Sequence, residues 1–275
     1  MVSMGNGSIP RCPGKAAARQ GAGRCYLSED FPTKGSNDMA TTPMTLRASE
    51  PARFYLYAAL GAAIVVFIGF APSYFLKGIF GAPPLYPLLH LHGFIMTSWF
   101  VLFAAQTWLV AARRVRLHRR LGIIGVLLAS AILIVGTAVL IIGTRLGHNA
   151  GLPAPMVVCI SLVNFLVFGV LVAAAIGFRG RSEFHKRLML LATLNLLTAA
   201  IGRIPLQFIQ SGGALAVFGL LDLVILICVG FDTVRHRCLH PAFAWGALLS
   251  IVWPVLAIQL GGTSAWSRFT NWLLS

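Results

Sequence analysis

From residue 54 onward the apolar residues of this chain fall in runs of 20 or more, broken by short polar punctuation, and show no strand-like alternation. A helix rising about 1.5 Å per residue needs about 20 apolar residues to cross a hydrocarbon layer of about 30 Å, so each run predicts a transmembrane helix. Seven runs are present, at approximately 54–76, 86–111, 121–144, 156–178, 187–209, 213–233 and 242–261. They predict an all-α fold, an integral membrane bundle of about seven helices occupying residues 51–275. Residues 1–50 are rich in Gly, Ser, Pro, Thr and Lys/Arg, without periodicity. They are expected to be a disordered basic tail, or sequence upstream of the true start at one of the internal methionines, Met39 or Met44.

The punctuation is asymmetric. "ARRVRLHRR" separates the second and third runs, "RGRSEFHKR" the fourth and fifth, and Arg235 and Arg237 lie between the sixth and seventh. The alternate connections carry only Lys77 and Arg145, or, at "QSGG", no charge. Lys and Arg concentrate in cytoplasmic loops, so the N-terminus is expected inside and the C-terminus outside. Composition agrees with a membrane protein: 57% of residues are hydrophobic and 11% charged, against roughly 25% charged in soluble domains. The net charge of +15 is accounted for by the loops, and no aromatic-interleaved basic patch accompanies it, so the bilayer and not nucleic acid is the implied partner.

Within the spans the chemistry-bearing residues are few. "LHRRLG" and "FHKRLM" open the third and fifth runs and put His118 and His185 at similar depth near the cytoplasmic ends. Two readings stand: interfacial anchors among snorkelling Arg and Lys, or a pair of imidazoles holding a haem iron from both sides. On the second span His92, Trp99 and Gln106 recur every seven residues, as one packed seam would. Counted inward from the outer ends by helix rise, His92 and Arg203 lie near 9 Å, Asn164 near 12 Å and Asp222 near 14 Å, all approximate. Together with Gln106 these residues are expected to form a buried polar or ligand-binding layer, with Arg203 paired to Asp222. Gly122, Ala129, Gly136 and Gly143 form a small-residue strip that predicts a central third helix, and Pro205 predicts a kink in the fifth.

The stretches "RRVRLHRRLGIIG" and "SEFHKRLMLLATLNLLTAAIGR" resemble a group of bacterial multi-pass membrane proteins catalogued only as a domain of unknown function. The matching positions are His118, Arg119, Leu121 and Gly122, then His185, Met189 and Arg203, with His92 and Gln106 before them. More distantly, the arrangement is similar to small transmembrane cytochromes b, although His92 lacks a clear histidine partner. The resemblance implies a bacterial inner membrane location. No P-loop, HExxH or nucleophile elbow occurs. The functional expectation is a redox membrane protein binding haem b or a quinone; the alternative is a non-catalytic carrier, sensor or respiratory-complex assembly partner using the outer polar layer.

Overall fold

The computed structural model describes residues 50–149 and 151–275. The expected basic tail therefore lies outside the described residues, apart from Glu50. Every regular element is helical: α1 (Glu50–Phe70), α2 (Pro87–Ala111), α3 (Val115–Arg145), α4 (Ala154–Gly177), α5 (Ser182–Asn195), α6 (Thr198–Ile201), α7 (Gln207–His236), α8 (Pro241–Gly261) and α9 (Ser264–Leu274). Among the described residues six helical stretches are long and apolar enough to cross a membrane: Arg53–Phe75, Pro87–Ala111, Val115–Arg145, Ala154–Gly177, Gln207–His236 and Pro241–Gly261.

The expected fifth span is not one helix. After Asn195 the chain leaves α-helical bonding, and the Asn195 carbonyl instead accepts from the hydroxyl of Thr198 (2.6 Å) and the side-chain amide of Asn164 (3.4 Å). Broken backbone in a hydrocarbon environment needs such side-chain partners. Helix α6 then runs for four residues and gives way to turns at 202–204, with Pro205 extending the chain beyond them. Helix α7 begins at Gln207 and carries a break at Gly213, whose φ of 55° and ψ of −137° suit only glycine. The polar "QSGG" is thus absorbed into the start of α7 and is not the connection.

Helix α5 is the enclosed element of the bundle. Leu188, Leu190, Leu191, Ala192, Thr193, Leu194 and Asn195 are all buried, among α1, α4, α7 and α8. Approach is closest where glycines face it: a Cβ on Gly246 of α8 would collide with Leu191, and one on Gly69 of α1 with the backbone of Ala200 in α6. The small-residue strip of α3 does not make that helix central. A Cβ at Gly136 would strike Phe165 of α4 at 2.7 Å, but Ile123, Leu127 and Ile134 stand exposed on the outer side of α3. A strip of small residues admits one close neighbour, whereas a central helix must be covered all round.

Candidate functional site

The arginine-rich connections bring four helix ends together. His118, in the first turns of α3, faces His185, in the first turn of α5, with ring centroids 6.3 Å apart and planes at 83°. The Nδ1–H of His185 can donate to the carbonyl of Ala175 in α4 (2.8 Å), which fixes the ring and leaves Nε2 as the open lone pair. His118 Nδ1 is buried with no hydrogen-bond partner, and so is Gln106 Oε1 near the end of α2. The backbone carbonyl of Gln106, not its side chain, lies close to the His118 imidazole. Gln106 belongs to this inner cluster and not to a layer with His92: the 14 residues between them correspond to about 21 Å of helix rise.

One turn beyond His118, a Cβ on Gly122 would meet no atom within 4 Å. Since i and i+4 share a helix face, the face that carries His118 is unfilled at the position of Gly122. Among the described residues no group of three or more His, Cys, Asp and Glu could hold a metal ion, so a tetrahedral zinc-type centre is not built here. The two-histidine pair is of a different kind. Two neutral imidazoles are the kind of donors that could hold a haem iron.

Behind this pair lies a buried ionic cluster that sequence reasoning missed. Arg187, 1% exposed, reaches from α5 to Asp232 of α7, 2% exposed, in a bidentate pair: Nε donates to Oδ2 at 2.8 Å and Nη2 to Oδ1 at 2.9 Å. Its Nη1 donates to the carbonyl and the carboxylate of Glu183, one turn back (2.8 and 2.7 Å). Lys186 donates to the same carboxylate and sits over the ring of Tyr55. On the far side His236 bonds the Asp232 carbonyl at 2.8 Å. Four hydrogen bonds thereby engage all three guanidinium nitrogens, which is how a buried arginine avoids the cost of an unpaired charge.

Two groups at the aqueous edge of the cluster are shifted. Burial alone would raise the Glu183 carboxyl, but hydrogen bonds from Lys186 and Arg187 outweigh it and hold the group down at about 2. Burial first, and the Arg187 charge second, lower His240, whose Nδ1 caps α8 by accepting from the N–H of Ala242. A signal for the cluster was present in the sequence. An aspartate at a membrane end filled with cations has partners to choose from, and Asp232 sits in such a place, four residues before His236.

The outer residues are not arranged as the polar layer required. Because α6 ends at Ile201, Arg203 lies in the turn beyond it, exposed, and not within a span. Its Nη1 donates to the Ala199 carbonyl (2.9 Å), and its guanidinium stacks 4.8 Å above the ring of Phe70. No ion pair joins it to Asp222, whose Oδ1 is buried without a partner. His92, with Nδ1 buried and unpartnered, does lie within range of the Arg203 charge. Asn164 joins a separate group: Asn195 donates to Ser250 Oγ (2.8 Å), which donates to the Gly246 carbonyl (2.8 Å), tying α4, α5 and α8 at mid-height.

An apolar cavity of about 400 Å³ lies between α1, α5–α6 and α7, lined by residues such as Ala58, Gly61, Leu194, Ile201, Leu220 and Val224. No family model, no curated protein and no solved structure matches this chain.

Proposed function

We propose that this chain is a multi-pass redox protein that holds haem b between His118 and His185. The observation that carries the reading is the pair itself. Two imidazoles, from α3 and α5, face each other with ring centroids 6.3 Å apart, one oriented by a backbone carbonyl and the other with a buried Nδ1 that has no hydrogen-bond partner, and together they would hold the haem iron. The open space at Gly122 suits a flat group lying against α3. Bound haem would supply one-electron chemistry. The chain's own residues would do the rest: the Ala175 carbonyl fixes the ligand tautomer of His185, and Arg116, Arg119 and Arg120, exposed beside His118, offer charge to the propionates. Arg187 is excluded from that role because Asp232 and Glu183 already occupy its donors.

In this reading α5 and α6 together make a seventh crossing. The arginine-rich ends are cytoplasmic, consistent with the charge asymmetry of the connections. The redox partner is a lipid-soluble quinone or another membrane protein of a respiratory chain in a bacterial inner membrane. The apolar cavity between α1 and α7 favours the quinone, since an isoprenoid tail requires an all-apolar seat. The alternative of a carrier, sensor or assembly factor rested on an outer polar layer, and Arg203, Asp222 and Asn164 do not converge there.

Substitution tests the ligand role. Glutamine replaces an imidazole lone pair poorly, so His118→Gln and His185→Gln should each abolish haem retention, and the double variant should lose no more than either single one. If the histidines are only interfacial anchors, the single variants keep whatever haem the wild type holds and their effects on stability add.

A further inference from the structure

We propose that α9 is an interfacial helix that lies flat on the bilayer, with Phe269 and Trp272 inserted among the lipid headgroups and upper acyl chains, at the end of the bundle opposite the arginine-rich connections. Helix α8 starts next to the α7–α8 connection and ends at Gly261, so α9 begins at the far end of the bundle. Thr263 caps α9 by accepting from the N–H of Trp266 (3.3 Å). Two long-range bonds then hold the helix down: Trp266 Nε1 donates to the Pro155 carbonyl at the start of α4 (2.8 Å), and Arg145, at the end of α3, donates to the Leu273 carbonyl (3.1 Å).

At about 100° per residue, the side chains of α9 fall into three sectors. Leu273, Trp266, Thr270 and Leu274 face the bundle, with Thr270 fully buried. Ser264, Ser267, Arg268 and Asn271 form a polar sector. Between these two, Ala265, Phe269 and Trp272 share a sector of about 60° at spacings of four and three. That third sector is uncovered by protein: Phe269 is 41% exposed and Trp272 71%. The three rings of Trp266, Phe269 and Trp272 form a continuous ladder, with centroids 5.1 and 5.9 Å apart.

A helix hanging in water would have no reason to separate an exposed apolar sector from an exposed polar one. A helix buried in hydrocarbon would not carry Arg268 and Asn271. Three sectors match the three environments met at the edge of a membrane protein: bundle, lipid and water. The occupant of the third sector is lipid because α8, the apolar span that leads directly into α9, already exposes Leu256 and Leu260 in its last turns. Trp and Phe at this level have the amphipathic or apolar rings that suit the headgroup boundary.

The test uses the full chain, one copy per phosphatidylcholine nanodisc. The sequence has six tryptophans, so the contribution of Trp272 is taken as the fluorescence difference between wild type and Trp272→Phe, a mild change at an exposed site. Lipids brominated high on the acyl chain should quench that difference signal strongly, lipids brominated near the chain end less, and aqueous iodide hardly at all. Quenching by iodide without quenching by bromolipid would overturn the proposal in favour of a helix in water. Quenching by neither would overturn it in favour of coverage by protein.

Discussion

At the scale of single residues, the strongest energetic statement concerns Arg187 and Asp232. Each is buried and each satisfies the other, so removing one leaves an uncompensated charge. Arg187→Leu or Asp232→Leu alone should cost about 3–5 kcal/mol, and the double change should cost less than the sum of the two single losses, as measured by a denaturation cycle in detergent. Arg203→Leu and Asp222→Leu, which do not pair, should instead act additively. Glu183 gives a pH prediction. Its folded carboxyl is depressed from the ordinary 4.5 to about 2, so its stabilising effect is complete above 4.5 and is lost as pH falls from there through about 2. With 48% of the side chain exposed the effect is small. Stability profiles of wild type and Glu183→Gln should converge in that window and run parallel above it; a difference that persists unchanged to pH 2 would contradict the assignment.

At the scale of elements, hydrophobic run length located the α1, α2, α3, α4, α7 and α8 helices, although α3 and α7 each begin six residues before their apolar runs, because crossing a bilayer constrains length and apolarity more than sequence detail. The fifth run was harder to interpret. Nothing in "LNLLTAAIGRIP" marks the helix break at Asn195 by composition, since the break depends on Asn164 and Thr198 satisfying a freed carbonyl. The misplacement of Arg203 follows from this: a continuous helix to residue 209 would have held it inside, whereas α6 ends at Ile201. His118 and His185 were legible as neighbours because both open a span on the same side. Arg187 was hidden by its setting in "HKR", where the positive-inside rule explains a cation without requiring a buried partner. Close packing gives a further prediction for α6. Gly69→Val forces a side chain into the backbone of Ala200 and should destabilise by about 1–3 kcal/mol or more by overpacking, while Gly61→Ala, which would meet nothing within 4 Å, should be nearly neutral by the same detergent assay.

At the scale of the whole molecule, a charge-clustered end and a sparsely charged end are joined by apolar helices, and the histidine pair belongs to the charge-clustered end. The ionic cluster of Arg187, Asp232 and Glu183 ties α5 to α7 two residues from His185, and the Ala175 carbonyl ties the His185 ring to α4. A histidine pair held from three helices is pre-organised, as the proposed haem site would require. The measurement that bears most directly on this account is the optical spectrum of the purified full-length protein, expressed with ample haem supply. A haem held by His118 and His185 would give a Soret band with reduced α and β bands, lost in His118→Gln and in His185→Gln alike. Wild-type protein that is folded and monodisperse yet shows no Soret absorption would contradict it, and the histidines would then be membrane-interface anchors.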